Sequence, residues 1–313
     1  MKLSVIIPVY NEEENIKKLH RELVSVMGDI KLSYEIIWVN DGSKDASLAV
    51  LEEIAKIDAN SKIIDFARNF GQTAAMSAGI KQATGDIIIP MDADLQNDPV
   101  DIPKFLKKIE EGYDVVSGWR KNRKDALLLR KVPSWIANSI IAAITGVRIH
   151  DYGCSMKAYR RDIIQGIILY GEMHRFIPAY VGWHGGKVTE IVVNHRPRIH
   201  GETKYGISRT FRVILDLILI KFLSKYMNRP IHFFGGIGFM SLALGGIAAI
   251  AAVYLKLFNS ISFITTPLPI FSAMLVIVGV QLIAMGVIAE MLMRVYYESQ
   301  GKQPYSIKKT MNT

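Results

Sequence analysis

Apolar and polar positions along residues 1–118 follow the order expected of alternating strands and helices. The run Leu3–Pro8 is short, apolar and closed by proline, which predicts a buried strand. Residues Glu13–Met27 place apolar side chains at helical spacing and begin with an acidic turn. The same pattern predicts four more strands and three more helices: Tyr34–Asn40, Lys62–Phe66, Ile87–Met91 and Tyr113–Ser117, then Ser47–Ile57, Thr73–Ala83 and Pro103–Glu111. Alternation of this kind predicts right-handed βαβ crossovers and a largely parallel sheet.

Two long apolar segments lie towards the carboxyl terminus. Phe233–Leu255 and Leu257–Ala289 contain no charged residue, and a helix of about 20 residues crosses the roughly 30 Å of a bilayer core. We therefore predict transmembrane helices at 231–257 and 267–293. Buried core helices are the alternative, which charge-free segments of this length disfavour. The glycine-rich stretch 235–246 would permit close helix approach, and this predicts a homo-oligomer, for which we expect a tetramer.

Two further helices are predicted between these regions. Pro133–Thr145 is strongly apolar, and Arg209–Met227 is amphipathic, as helices in the membrane interface are. For the first of them, a core helix of the soluble domain is an equally good interpretation. The predicted organisation is a cytoplasmic domain (1–208), a juxtamembrane amphipathic helix (209–230), two transmembrane helices (231–257 and 267–293) and a cytoplasmic tail (294–313).

Basic residues concentrate beside the apolar segments. The net charge is +9; Lys221, Lys225 and Arg229 precede the first segment, and Arg294 and three lysines follow the second. The positive-inside rule then places both the amino-terminal domain and the tail in the cytoplasm. Because the charge follows the apolar segments, a membrane surface is the better partner and nucleic acid is disfavoured. The only cysteine, Cys154, excludes an intramolecular disulfide and fits a reducing compartment.

The most informative polar cluster follows the fourth predicted strand. Asp92, Asp94 and Gln96 come directly after the apolar run 87–91, so a buried strand carries them to its carboxyl end. In open α/β sheets ligands bind at that edge. Carboxylate and amide oxygens suit Mg²⁺ or Mn²⁺, and such an ion usually completes its coordination with substrate phosphates. An Asp-x-Asp pair alone is more often a solvated turn, but its position here predicts a nucleotide diphosphate site.

Polar residues also follow the other predicted strands. These segments are Pro8–Glu12, Asn40–Ser43, Arg68–Gln72 and Gly118–Arg120. Any one of them has an ordinary structural explanation; Asn40–Ser43, for example, is a good turn and helix cap. All of them together, at one edge of a sheet, predict a ligand crevice.

The motifs Pro8-Val9-Tyr10-Asn11-Glu12, Asn40-Asp41-Gly42-Ser43 and Asp92-Ala93-Asp94-Leu95-Gln96 resemble those of the family-2 glycosyltransferases. More narrowly, the whole chain resembles the polyprenyl-phosphate (dolichol-phosphate type) sugar transferases. The resemblance implies a nucleotide-sugar-binding, GT-A-like α/β fold related to the Rossmann fold. It also implies that Pro8, Tyr10 and Glu12 line the base pocket and Asp41 meets the nucleoside. In the same way it implies that Asp92, Asp94 and Gln96 surround Mg²⁺ or Mn²⁺ and the diphosphate.

The resemblance also implies an acceptor site for a lipid phosphate. Arg120, Arg130 and Ser134 match positions that hold this phosphate, and arginine is well suited to bind it. Arg198 and Lys204 fall in a stretch that resembles Arg-x-x-Gly-x-Ser-Lys-Tyr, with threonine in place of serine. They would reach the diphosphate or the lipid phosphate. Asp151 matches a proposed catalytic base, although it could instead orient Arg120 or a sugar hydroxyl. Cys154 beside it is interpreted as a packing residue.

The resulting hypothesis is a membrane enzyme that transfers one hexosyl unit, with inversion, from a nucleotide sugar to polyprenyl phosphate. By resemblance we expect UDP-glucose and undecaprenyl phosphate, with GDP-mannose, UDP-GlcNAc or a modified sugar as other donors. A processive polysaccharide synthase is disfavoured because the chain lacks a Gln-x-x-Arg-Trp motif and further spans. A non-catalytic membrane scaffold or flippase component, and a soluble nucleotide-binding module, remain as alternatives from other classes.

Overall fold

The computed structural model describes residues 1–121, 142, 146–167, 173–183, 185–197, 222, 226 and 229–299. It divides into two compact units, Met1–Leu217 and Ile218–Thr313. Three segments lie outside the described residues: the predicted apolar helix Pro133–Thr145 except residue 142, most of the predicted helix 209–230, and residues 300–313 of the predicted tail.

Among the described residues, the first unit contains one seven-stranded sheet. Its strands are β1 (Lys2–Val9), β2 (Ser33–Asn40), β3 (Ser61–Asp65), β4 (Ile87–Pro90), β5 (Val115–Trp119), β6 (Lys157–Arg160) and β7 (Val188–Val192). Their order across the sheet is β3-β2-β1-β4-β6-β5-β7. All neighbours pair in parallel except β6, which runs antiparallel to both β4 and β5. The carboxyl ends of the six other strands therefore lie at one edge.

The predicted α/β fold with a mostly parallel sheet is confirmed. The five predicted strands and four predicted helices of residues 1–118 all form, with ends that move by three residues or fewer. The sequence pattern missed β6 and β7. β6 has four residues, of which two are basic, and β7 is an edge strand whose side chains are only partly buried. Neither carries the apolar run or the clean alternation that identifies a strand.

Helices cover both faces of this sheet. They are α1 (Glu13–Ile30), α2 (Ser47–Ile57), α3 (Gln72–Gln82), α4 (Ile102–Glu110), α5 (Arg161–Ile164) and α6 (Ile177–Trp183). One core joins α1, α2 and α4 to one face, and the other joins α3, α5 and α6 to the opposite face. Successive strand residues alternate between them, as Val5 and Ile6 of β1 do, because side chains of a strand point to opposite faces. Burial on both faces explains the continuous apolar runs.

A buried carboxylate ties the amino-terminal edge of the sheet together. Glu35 of β2 is 1 % exposed. Its Oε1 accepts hydrogen bonds from the Ser4 hydroxyl at 2.6 Å and the Thr84 backbone N–H at 2.7 Å, and its Oε2 accepts one from Lys62 at 2.6 Å. Burial by itself raises the pKa of Glu35, but the hydrogen bonds from Lys62, Ser4 and Thr84 outweigh it and lower the pKa to about 2. This edge lies opposite the polar strand ends.

The second unit contains two long apolar helices in its described part, α7 (Pro230–Phe258) and α8 (Leu268–Ser299). They cover the predicted spans 231–257 and 267–293 to within a residue. Both are long and apolar enough to cross a membrane, and only 22 % and 11 % of their most apolar windows are buried. Core helices of a soluble protein would be mostly buried, so the exposure favours the membrane interpretation.

Small residues let α7 and α8 approach closely. A Cβ atom added at Gly238 would lie 2.8 Å from the Gly279 carbonyl oxygen, which leaves no room for a side chain. The Ser241 hydroxyl donates to the Leu275 carbonyl at 2.8 Å, and the Ser272 hydroxyl donates to the Gly245 carbonyl at 2.7 Å. Part of the glycine-rich stretch is therefore used for packing within one chain.

We predict that Glu35→Gln lowers the unfolding temperature of the full-length protein in detergent. A pKa lowered from 4.5 to about 2 corresponds to about 3 kcal/mol at neutral pH. The folded-state pKa is depressed, so this stability is present above about pH 4.5 and is lost as the pH falls towards 2. The variant and the wild type should therefore differ most at pH 7 and converge in acid. Glu53→Gln, which removes an exposed ion pair with Lys17, is the control and should change little; equal losses in both variants would contradict the prediction.

Candidate active site

The turn after β4 brings two carboxylates together at the carboxyl edge of the sheet. Ala93 and Leu95 are buried in the core, 3 % and 1 % exposed, whereas Asp92 and Gln96 are half-buried and Asp94 is 8 % exposed. Leu95 has a φ of 61°, an uncommon left-handed conformation for leucine. Asp94 Oδ1 accepts a hydrogen bond from the Gln96 backbone N–H at 3.1 Å. The bend in the backbone brings the side chains of Asp92 and Asp94 close to each other.

Hydrogen bonds hold Asp92 at both its side chain and its backbone. The Gln72 side-chain amide donates to Asp92 Oδ1 at 2.7 Å, and the Asp92 backbone N–H donates to Asn97 Oδ1 at 3.1 Å. The Ser155 hydroxyl donates to the same Asn97 oxygen at 3.0 Å. Burial raises the pKa of Asp92, and the negative charge of Asp94 raises it further. A cation bound between the two carboxylates would relieve that repulsion.

This donor set fits a divalent cation that shares its coordination with a ligand. Two carboxylates and the Gln96 amide provide hard oxygen donors. Within the part of the chain that the structure describes, no group of three or more His, Cys, Asp or Glu residues could hold a metal by itself. An ion here would need further oxygen donors, which phosphates and water supply to Mg²⁺ in many proteins.

The ends of β1 and β2 are fastened to each other beside this turn. The Asp41 backbone N–H donates to the Val9 carbonyl at 2.8 Å, and the Lys44 backbone N–H donates to Asn11 Oδ1 at 2.8 Å. Glu12 accepts a hydrogen bond from the Asn15 side chain at 2.7 Å. Pro8, Tyr10 and Glu12, the predicted base-pocket residues, are half-buried on this segment.

Asp41 holds the loop that follows β3. It is 3 % exposed, and its carboxylate accepts hydrogen bonds from the backbone N–H groups of Phe70 at 2.7 Å and Gly71 at 2.9 Å. The Asn69 side chain adds a third at 3.0 Å. The Asp41 carboxylate thus positions the protein's own loop, a function that the sequence pattern did not reveal. A Cβ added at Gly42, where φ is +65°, would lie 2.4 Å from the Arg68 carbonyl carbon, so the loop also requires this glycine.

Arg120 and Asp151 form a two-point ion pair at the end of β5. Arg120 Nε lies 2.7 Å from Asp151 Oδ2, and its Nη2 lies 3.0 Å from Oδ1. The side chains are 13 % and 10 % exposed. Burial raises the pKa of Asp151, but the hydrogen bonds and positive charge of Arg120 outweigh it and lower the pKa overall. An ionised, paired Asp151 matches the alternative in which it orients Arg120.

A buried lysine supports the turn that carries Asp151. Lys157 is 2 % exposed, and its ammonium group donates to the carbonyl oxygens of Tyr152, at 3.2 Å, and Cys154. Burial lowers the pKa of Lys157 to about 8. Burial also raises the pKa of the Cys154 thiol to about 11, so Cys154 stays a neutral packing residue at neutral pH. Sequence reasoning missed Lys157, because a lone lysine in a short strand carries no motif.

Four of the predicted site residues lie outside the described residues: Arg130, Ser134, Arg198 and Lys204. The chain that leads to the last two is described as far as Pro197. There the Arg196 backbone N–H donates to the Gln96 carbonyl at 2.9 Å, and its guanidinium contacts Asp98 and Glu22, each at 2.6 Å. The segment after β7 is therefore anchored beside the Asp94–Gln96 turn.

Comparisons with known proteins show which family the chain resembles over most of its length. The model of the family described as glycosyl transferase family 2 matches residues 4–168. The chain is 45 % identical to the dodecaprenyl-phosphate galacturonate synthase of Rhizobium johnstonii, over 98 % of this chain and 92 % of that protein. It is 36 % identical to the undecaprenyl-phosphate 4-deoxy-4-formamido-L-arabinose transferase of Proteus mirabilis, over 99 % of this chain and 94 % of that protein.

Two solved structures share the fold. Glucosyl-3-phosphoglycerate synthase from Mycobacterium tuberculosis, in complex with Mn²⁺, uridine diphosphate and phosphoglyceric acid, superposes with a TM-score of 0.55 at 16 % identity, over 70 % of this chain and 78 % of that one. Mannosyl-3-phosphoglycerate synthase from Rubrobacter xylanophilus gives 0.56 at 12 % identity, over 71 % and 74 %. At these identities the likeness establishes the fold and nothing finer.

Proposed function

The chain belongs to glycosyl transferase family 2, and on that premise we propose that it transfers one sugar from a nucleotide sugar to polyprenyl phosphate at a membrane. The observation that carries the proposal is the pair Asp92 and Asp94 at the carboxyl edge of the sheet, in a chain whose similarity to two polyprenyl-phosphate sugar transferases is nearly full-length. The two apolar helices supply the membrane attachment that a lipid acceptor requires.

The donor would bind along the strand ends. Pro8, Tyr10 and Glu12 would line the base pocket at the end of β1. Asp41 would act there mainly by fixing the loop after β3, since that loop already occupies its carboxylate. Asp92, Asp94 and Gln96 would hold Mg²⁺ or Mn²⁺ against the diphosphate, and the bound cation would neutralise charge on the departing nucleotide.

The acceptor phosphate would lie beside Arg120. The second pKa of a phosphate monoester is about 6, so the acceptor phosphate is mostly a dianion at neutral pH. It needs orientation and charge neutralisation more than deprotonation. Asp151 holds the Arg120 guanidinium, and Lys157 supports the turn that carries Asp151. Arg120 would therefore supply a fixed positive charge for the phosphate. Arg130, Ser134, Arg198 and Lys204 are further candidates by resemblance. An oxygen of the phosphate would then attack the anomeric carbon in line with the leaving diphosphate and invert its configuration.

The sugar is the least constrained part of the proposal. Glucose from UDP-glucose stays a prediction from family resemblance. The relatives are named for galacturonate and for 4-deoxy-4-formamido-L-arabinose, so a nucleotide-activated galacturonate is the first donor to test. We further propose that the first unit and the tail face the cytoplasm, because basic residues flank the outer ends of α7 and α8.

We predict transfer of label from a nucleotide sugar to a lipid when the purified protein is incubated with undecaprenyl phosphate and Mg²⁺ or Mn²⁺. The donor panel would contain activated galacturonate, 4-deoxy-4-formamido-L-arabinose, glucose, N-acetylglucosamine and mannose, with label followed into the organic phase. EDTA should abolish transfer, and Asp94→Asn should lower it on the order of 100-fold, because the cation contributes several kcal/mol. Nucleotide binding without transfer from any donor would instead favour the scaffold alternative.

We predict that Asp151→Asn acts mainly on the acceptor. Losing the ion pair frees the Arg120 side chain, which should raise the KM for polyprenyl phosphate about 10- to 100-fold while saturating acceptor restores most of kcat. Asp162→Asn, an exposed aspartate on α5, is the control and should change neither constant. A large fall in kcat at saturating acceptor, with KM unchanged, would show that Asp151 acts as a base.

The homo-oligomer also stays a proposal, now with a different structural basis. Gly238 and Gly245 pack against α8 of the same chain, so they are not available to a second copy. Gln281, in contrast, is exposed on α8 within its candidate membrane span, and its side chain makes no hydrogen bond to another described residue. An amide in hydrocarbon without a partner is costly, and amides of two copies can satisfy each other.

We predict that Gln281→Leu weakens self-association of the full-length protein in detergent or bilayers. Each interhelical hydrogen bond contributes about 1 kcal/mol, so loss of the amide should shift crosslinked or native-mass distributions several-fold towards the monomer. Ile277→Leu, on the same exposed face, is the matched control. Identical distributions for wild type and Gln281→Leu, or monomer alone in the wild type, would overturn this basis for the oligomer.

A further inference from the structure

Gln72 is the one residue of the loop after β3 whose side chain reaches the metal-binding turn in the described structure. It is the first residue of α3, and its Nε2 donates to Asp92 Oδ1 at 2.7 Å. Its partner is one of two carboxylates that repel each other across a half-buried site. The neutral amide of Gln72 restrains Asp92 without cancelling its negative charge. A lysine or arginine at this position would neutralise that charge and take the place of a bound cation.

The surrounding contacts fix Gln72 before any ligand binds. On its amino-terminal side, the Gly71 backbone N–H is held by Asp41, and Gly71 has a φ of 93° that a residue with a side chain rarely adopts. On its carboxyl-terminal side, the Thr73 hydroxyl lies 2.6 Å from His174 Nδ1. Burial lowers the pKa of His174 to about 3, so the imidazole that contacts Thr73 is uncharged at neutral pH. The Gln72 amide is therefore aimed at Asp92 from a rigid support.

We propose that Gln72 is a positioning residue that holds Asp92 in the orientation required to bind the divalent cation. By donating to Oδ1 it restricts how the Asp92 carboxylate can turn. The Asn97 oxygen holds the backbone of Asp92 from the other side, so the ligand is constrained at two points. Residues that orient metal ligands through hydrogen bonds typically change metal affinity 10- to 100-fold when they are removed.

The inference rests on the proposed function, and the test separates the two. Mn²⁺ binding to the full-length protein in detergent would be measured from the electron paramagnetic resonance signal of free Mn²⁺, with UDP or GDP present and no acceptor. Gln72→Leu removes the amide at similar volume and should bind Mn²⁺ about 10- to 100-fold more weakly. Gln82→Leu makes the same change at the exposed far end of α3 and should bind as the wild type does.

A second measurement distinguishes positioning from a general loss of structure. Where transfer is detected, Gln72→Leu should raise the Mn²⁺ concentration for half-maximal activity, and saturating Mn²⁺ should recover most of kcat; a damaged fold would not be repaired by metal. Wild type that binds no Mn²⁺ in the presence of nucleotide would refute the metal site of the proposed function. Wild type and Gln72→Leu with equal Mn²⁺ affinity and equal unfolding temperature would overturn the inference about Gln72 while leaving that site intact.

Discussion

The close approach of two carboxylates, Asp92 and Asp94, is the constraint on which the rest of the site depends. Burial raises the pKa of Asp92, and repulsion by the like charge of Asp94 raises it further. The fold keeps them together because Ala93, which lies between them, and Leu95, which follows them, are buried in the core, and because the backbone is left-handed at Leu95. A divalent cation bound here would relieve this repulsion, and its remaining positive charge would attract a diphosphate.

Much of the polar framework holds the site's own residues in place. Asp41 fixes the loop after β3, that loop presents Gln72, and Gln72 restrains Asp92. At the proposed acceptor site, Lys157 supports the turn that carries Asp151, and Asp151 forms an ion pair with Arg120. The first series ends at Asp92, which suits a divalent cation, and the second ends at Arg120, which suits a phosphate. A preformed arrangement of this kind lowers the ordering cost when a substrate binds.

The second unit solves a different physical problem. α7 and α8 contact each other through close backbone approach at Gly238 and Gly279 and through serine hydroxyls that donate to carbonyls. These contacts would hold the helices together in lipid, which provides no hydrophobic force between them. Most of their exposed side chains are apolar, and Gln281 is an exposed polar residue within the candidate membrane span of α8. One chain therefore combines a sheet with polar strand ends and two helices whose exposed side chains suit a lipid medium.

The sequence by itself determined the α/β class, the two apolar helices and the turn Asp92–Gln96, because apolar periodicity, charge-free length and strand-end motifs are local signals. Only the tertiary structure decided which polar side chains meet. Several features join residues that are far apart in sequence. They are the places of β6 and β7 in the sheet, the ion pair of Arg120 with Asp151, and the hydrogen bond from Gln72 to Asp92. Their positions follow from how the strands are ordered in the sheet, and strand order is set by the packing of the whole domain and not by any local pattern.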